Sequence, residues 1–362
     1  MKVLFISFKR YAGILDGGGM ANQRNVVMAQ QMYGEDNVDV FYVHDESKRR
    51  SLGNYLQTLI HMPRGYYNGF TPKMLRSIAD RAHEYDCIFI NTSLFGIIAK
   101  HLKEIGYKGK VIVHFHNVES VYYEHRLPKR MPFRQILIRC AALNDRYACQ
   151  YADRIVVLNQ RDAQMIAKQY GRTPDAIANI ALKDKFPGAD EAVMTNRKPL
   201  CLFMGSSFAA NNEGVLWFVQ HVLPHVDIDF KVVGRGMAKL QAAHKCLQNV
   251  DVVSDVPDLA PYFAEADFMV LPIFSGSGMK VKTCECLMYG KNILGTDETF
   301  EGYDIDDAQI GGRCNTAQEY IDALKHYAAH PIPRFNQYAR TLYLEQYSEE
   351  KSVEVFRQLF EG

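Results

Sequence analysis

A chain of 362 residues, at about 100 to 200 residues per domain, has room for two or three domains that each bury a core. Its composition is 48% hydrophobic and 23% charged with 25 Gly and 13 Pro, which excludes disordered, collagen-like and low-complexity chains. The net charge of +1 conceals an asymmetry: residues 1–190 hold 27 Lys and Arg against 18 Asp and Glu, and residues 191–362 hold 15 against 23. Two bodies of opposite field are expected, and nucleic acid is not an expected partner.

The first apolar run, VLFISF at 3–8, is stopped by Lys9-Arg10, whereas the apolar core of a signal peptide needs about 7 to 15 residues. It reads as a buried strand. VDVFYV (38–43), CIFI (87–90), VIVHF (111–115) and RIVVL (154–158) follow, continuous in hydrophobicity as strands covered on both faces are. Helical patterns near 20–33, 72–84, 94–105 and 132–151 separate them, giving the alternation of a doubly wound parallel sheet. KDKFPGADEAVMTNRKPL then breaks the pattern, and a domain boundary is expected near 190.

A second series runs through LCLFM (200–204), FKVV (230–233), VDVV (250–253), FMVL (268–271) and NILG (292–295), with helical stretches near 212–222, 235–247, 258–265, 279–289 and 316–329. Two Rossmann-like α/β domains facing a ligand-binding cleft are expected. The last stretch, from FNQYARTLY onward, is helical and interrupted at Ser348. No run reaches the roughly 20 apolar residues of a membrane span. The eight cysteines hold no CxxC pair and mostly lie in apolar runs, as in a reducing compartment, so a cytoplasmic protein is expected.

The stretch PIFSGSGMKVKTCECLMYGK carries the most chemistry. A strand ends near Pro272, a loop with Gly276 and Gly278 follows, and a helix is expected from about Met279, so free amides and the positive dipole end point at an anion above the strand. Lys280 and Lys282 add cationic charge, and Glu285 can accept from vicinal hydroxyls such as those of a ribose. A solvent-exposed helix start with a Lys282–Glu285 surface pair is the plainer alternative. Lys280, expected in the first turn, is the first choice for a diphosphate counter-ion; Lys282 is the second. Gly17, Gly18 and Gly19 after the first strand allow close approach of a ligand, or simply a tight turn. His114 and His116 share a strand face, which with Glu119 admits a metal reading, although no third ligand spacing supports it. DID at 227–229 and 304–306 resembles an acidic metal motif only superficially.

Between Arg126 and Arg139 the sequence interleaves Lys129, Arg130, Arg134 and Arg139 with Met131, Ile136, Leu137 and Ile138, and Lys48-Arg49-Arg50 adds charge upstream. A basic, partly apolar helix of this kind lies on an anionic membrane surface or forms an ordinary solvated face.

In order along the chain, DGGGMANQR, VHFHNVESVYYEH, ADRIVVLNQRDAQMIAKQYG, LFMGSSFAANNEGVLWFVQHVLP, FKVVGRG, VDVVSDVPDLAPYFAEADFMVLPI and GSGMKVKTCECLMYGK with EGY at 301–303 resemble the family 4 (group 1) glycosyltransferases of the GT-B fold, which serve bacterial cell-surface polysaccharide synthesis. The resemblance implies a final helix that returns to the N-terminal domain, so that 1–190 with about 348–362 form an acceptor-side domain and 191–347 a donor-side domain. It implies transfer of a sugar from a UDP- or GDP-linked donor to a hydroxyl of a saccharide or lipid-linked saccharide, with retention and without a metal or other cofactor. Glu285 matches the second of the family's paired glutamates, the one at the donor ribose, while the first falls on Ser277. The cations that many members carry after the first C-terminal strand are missing from GSSFAANNEG, so Lys280 or Lys282, with Ser206 and Ser207 as donors, would have to serve the diphosphate. His116 matches a histidine near the donor sugar, Val256 stands where relatives meet the nucleobase, and the backbone of Gly278 and Met279 lines the donor loop. A nucleotide-sugar epimerase and a catalytically idle scaffold are the alternatives. An NAD-dependent dehydrogenase fits less well, because GGGMAN is not GxGxxG.

Overall fold

The computed structural model describes residues 1–10, 17–45, 60–67, 69–188, 198–276 and 278–362. The expected boundary at 190, the Lys48-Arg49-Arg50 run and Ser277 lie outside the described residues. The chain divides into a first unit, Met1–Asn179 with Val353–Gly362, and a second, Ile180–Ser352.

The apolar runs become strands; those inside each sheet are covered on both faces, whereas the edge strands Val38–Asp45 and Asp251–Ser254 are only partly covered. In the first unit β1 (Val3–Arg10), β2 (Val38–Asp45), β3 (Cys87–Ile90), β4 (Lys110–Phe115), β5 (Arg154–Val157) and β6 (Ala176–Ile177) pair in the order β2-β1-β3-β4-β5-β6, all parallel. Alternate residues serve opposite faces. Leu4, Ile6, Ile88, Ile90, Val111 and Val113 enter one core, with Phe95 and Ile98 from the helical segment after β3. Val3, Phe5, Phe89, Ile112 and Val156 enter the other.

That second core is closed by the end of the chain. Phe356, Leu359 and Phe360 on the helix Glu349–Glu361 pack into it, with the Phe89 ring 5.9 Å from Phe356 and 5.7 Å from Phe360. Each such side chain contributes about 1.5–3 kcal/mol by leaving water. The break expected at Ser348 is present: Ser348 is extended, and its hydroxyl accepts from Lys351 N to start the last helix.

The second unit holds β7 (Leu200–Met204), β8 (Asp229–Gly234), β9 (Asp251–Ser254), β10 (Phe268–Leu271), β11 (Asn292–Gly295) and β12 (Gly311–Arg313), parallel in the order β12-β11-β10-β7-β8-β9. The architecture is therefore α/β with two doubly wound parallel sheets. Parallel strands bring all their C-terminal ends to one edge, which gathers the loops after β7, β9, β10 and β11.

Candidate functional site

In the second unit the loop after β10 leads into a helix that starts later than the glycine pattern implies. Gly278 is left-handed at φ 64, so the helical geometry begins only at Val281 and runs to Met288, with Lys280 at its N-cap position. Met279 is buried behind this turn. Lys280 is thus outside the first turn, and its ammonium sits between two carboxylates, 2.5 Å from Glu298 Oε1 and 3.3 Å from Glu301 Oε2, while donating to Gly278 O at 2.7 Å.

Lys282 has opposite surroundings. Its ammonium reaches back over the end of β7, donating to Asn211 Oδ1 and standing 4.7 Å from the centre of the Phe203 ring. A Cβ at Gly205 would come within 3.0 Å of Lys282 Nζ, so the glycine at this strand end makes room for it. Burial pushes the ammonium down to about 7, a shift that Cys286 and Glu285 oppose and Lys280 reinforces. Asn211 lies inside the helix Ala209–His221 and not at its cap: its amide donates to Ser206 O at 2.7 Å and its oxygen receives Lys282. The requirement of a desolvated ammonium for an acceptor accounts for that role. Ser207 donates to Asn212 Oδ1 at 3.1 Å, and Ser206 and Ser207 are both half-buried.

Glu285 follows Lys282 by three residues on the same helix and is half-buried. Burial raises its carboxyl to about 7, with Lys282 and Lys185 opposing, and among the described residues no hydrogen bond reaches it. Val256 is half-buried after β9, next to Asp255, whose left-handed backbone and carboxylate tie that turn to Gly236 N at 3.2 Å. The structure thus ties Lys282 to the loop after β7 through Asn211 and Ser206, places Glu285 one turn along the same helix, and holds Lys280 with Glu298 and Glu301.

In the first unit Gly18 and Gly19 stand in the opening turn of the helix Gly17–Tyr33, earlier than the start near residue 20 that the pattern implies. Asn25 on that helix donates to Asn91 Oδ1 at 3.0 Å and contacts His114 Nδ1 at 2.9 Å, and Asn91 donates to Ser7 Oγ at 2.8 Å. His114 is fully buried and its pKa lies well below the usual histidine value, because burial and then His116 and Arg24 disfavour its cation. It is neutral. His116, half-buried just past β4, places its ring 4.5 Å from that of His114. Among the described residues no group of three His, Cys, Asp or Glu is placed to hold a metal ion.

Sequence reasoning singled out Glu119 only as a metal ligand beside His114 and His116, and missed that it belongs with Asp145 and Asp162 to a set of buried acids. Asp145 accepts from Ser93 Oγ at 2.7 Å and from Ser120 N at 2.9 Å, and burial raises it to about 6. Glu119, at the start of the helix Glu119–Arg126, is pushed up to about 8, first by burial and then by the charge of Asp145. Burial also raises Asp162. Acid residues scattered over three helices carry no signal in the linear pattern.

The basic segment forms a turn and the start of the helix Arg134–Tyr151. Lys129, Arg130 and Arg139 are exposed, as are Met131 and Phe133 at 38% and 55%, and Phe133 is left-handed at φ 61. The Arg134 guanidinium is occupied within the protein, donating to the carbonyls of Leu127 and Glu124.

Residues 198–329, most of the second unit, match the family model described as glycosyl transferases group 1. The resemblance is to the group 1 glycosyltransferases. No curated protein matches the chain by sequence. Similar solved structures include a sucrose-phosphate synthase from Thermosynechococcus elongatus, at 14% identity and TM-score 0.69 over 100% of both chains. Others are the lipopolysaccharide outer core galactosyltransferase WaaB in its apo form, at 12% and 0.71 over 99% of this chain and 98% of that one, and Anabaena HepE in complex with UDP, at 13% and 0.68 over 100% of both. The fold is that of the GT-B glycosyltransferases. In the matched stretch, Lys282 and Glu285 lie one turn apart on the helix Val281–Met288, and no helix among the described residues is long and apolar enough to cross a membrane.

Proposed function

We propose that the protein is a GT-B glycosyltransferase that moves a sugar from a nucleotide diphosphate donor to a hydroxyl of a saccharide or lipid-linked saccharide, with retention and without a metal. The observation that carries this reading is the Lys282 ammonium held over Gly205 and Asn211, one helical turn from the carboxylate of Glu285. An ammonium stripped of water gains more from an anion than a solvated one does. It therefore suits the diphosphate, with Ser206 and Ser207 as further donors, while Glu285 accepts from the ribose hydroxyls. The match of residues 198–329 to group 1 enzymes supports the same assignment, and Anabaena HepE, of similar fold, has been solved with UDP and with UDP-glucose.

As the glycosidic bond to the donor breaks, charge grows on the departing diphosphate, and Lys282 with its fixed partner stabilises that charge without reorganising. His116 serves as a polar contact to the sugar, not as a base. The protein works at the cytoplasmic face of a membrane, where the exposed Lys129, Arg130 and Arg139 meet anionic lipid and lipid-linked acceptors are found. The test is incubation with UDP- and GDP-sugars and a panel of saccharide and lipid-linked acceptors. Acceptor-dependent nucleotide release, an axial or equatorial product bond matching that of the donor, and turnover in EDTA are the expected outcomes. Epimerised donor without acceptor, or nucleotide binding without any turnover, would overturn the assignment.

A further inference from the structure

Two lysines two residues apart have different partners. Lys282 donates to the amide oxygen of Asn211, whereas Lys280 donates to the carboxylates of Glu298 and Glu301. The carboxylate oxygens of that pair accept hydrogen bonds only, so a ligand there must bring donors, as sugar hydroxyls do and an ionised phosphate does not.

The position of Glu298 points the same way. It lies on the segment after β11, and a Cβ at Gly276 would stand 3.0 Å from Glu298 Oε1, so the carboxylate rests against the glycine loop that precedes the helix Val281–Met288. The segment is fastened on both sides: Thr299 Oγ1 donates to Leu271 O at 2.6 Å, and Thr283 Oγ1 on that helix donates to Thr299 O at 2.8 Å. Glu298 Oε1 is engaged by Lys280, while Oε2 has no hydrogen-bond partner among the described residues on a side chain that is 23% exposed. The result is a rigid carboxylate with one accepting oxygen open at the loop.

We infer that Glu298 accepts hydrogen bonds from the hydroxyls of the donor's sugar, and that Lys280 is a positioning residue that holds it there. The inference rests on the donor-site reading above. At position 277 the resemblance implies a glutamate for those hydroxyls and the chain has serine; Glu298 brings a carboxylate to the same loop from a different element. The division of labour follows from the partners: Lys282, held by an amide oxygen, serves the phosphates, and Glu298, held by Lys280, serves the sugar.

The experiment compares affinities of wild type, Glu298→Ala and Glu298→Gln for UDP and GDP and for UDP-glucose, UDP-galactose, UDP-N-acetylglucosamine and GDP-mannose by titration calorimetry. Free-nucleotide affinity should stay within about twofold of wild type, while the tightest-binding nucleotide sugar should lose about tenfold to a hundredfold in Glu298→Ala, as for a lost hydrogen bond to a charged group, and less in Glu298→Gln. Deoxy-sugar donors lacking the contacted hydroxyl should bind wild type and Glu298→Ala alike. A parallel loss for nucleotide and nucleotide sugar would mean that Glu298 only shapes the loop, and unchanged affinity for every nucleotide sugar would remove it from the site; either overturns the inference. Absence of nucleotide binding by the wild type would overturn the donor-site reading and this inference with it.

Discussion

Lys282 donates its ammonium to the side-chain oxygen of Asn211, and the Asn211 amide in turn holds the carbonyl of Ser206. One asparagine thus fixes a cation and the strand-end loop beside it in a single arrangement. Because burial brings the Lys282 pKa down to about 7, part of the population is uncharged at neutral pH. Binding a diphosphate favours the charged form, so nucleotide binding should take up protons, and affinity for UDP or GDP should fall as pH rises from 7 to 9. Glu285 ionises over the same range and improves as an acceptor as it does so, which opposes the trend. Calorimetry in buffers of different ionisation enthalpy measures the proton uptake; Lys282→Met should abolish it, and Glu285→Gln should steepen the pH dependence. Identical uptake in Lys282→Met would place the diphosphate elsewhere.

Glu285→Gln at pH 8 should weaken nucleotide binding by about 1.5–3 kcal/mol, the range for a hydrogen bond to a charged group. At pH 5.5, where the carboxyl is already protonated, the two proteins should bind more nearly alike. Titration with the free nucleotide at both pH values checks this, and a pH-independent difference would argue that the substitution disturbs the helix.

The sheets were legible because a strand covered on both faces must be continuously apolar, and every long run, from VLFISF to NILG, became a strand. The strands that escaped notice, Ala176–Ile177 and Gly311–Arg313, are short edge strands with no apolar run to mark them. The helix Gln160–Tyr170 escaped because Ile166 is its one fully buried apolar side chain, although Asn159 and the left-handed Gly171 mark its two ends. In the site, Lys282 and Glu285 could be placed on one helix from their spacing. Which lysine faces which charge could not, since Glu298, Glu301 and Asn211 reach them from other elements, 18, 21 and 71 residues away.

Glu119 offers a test of the buried acids by stability. Its folded pKa, raised to about 8, lies above the usual carboxylate value of about 4.3, so the stability it contributes is full below that value and is lost as pH rises through 8. Asp145, raised to about 6, acts in the same direction. Glu119→Gln removes the proton release, so relative to wild type it should gain on the order of a few kcal/mol between pH 5 and pH 9. Denaturant unfolding at the two pH values measures it. An equal difference at both would mean that Glu119 is already ionised at pH 5.

The last prediction separates two arginines that the sequence treats alike. Arg130, with Lys129, is exposed beside the apolar Met131 and Phe133, whereas Arg134 donates to the carbonyls of Leu127 and Glu124 and closes the turn that presents them. Near an anionic surface each free basic residue contributes about 1 kcal/mol, screened by salt, while a guanidinium already bound to backbone carbonyls has less to offer lipid. With vesicles of 70% phosphatidylcholine and 30% phosphatidylglycerol, Lys129→Glu with Arg130→Glu should therefore release the protein into the supernatant with little change in thermal stability. Phe133→Ser should weaken binding in a manner that salt does not reproduce, because its contribution is apolar. Arg134→Ala should lower the melting temperature first, since two carbonyls lose their donor. Equal sedimentation of wild type and the Lys129/Arg130 variant at low salt would leave the segment as an ordinary solvated turn and move any membrane contact to another surface.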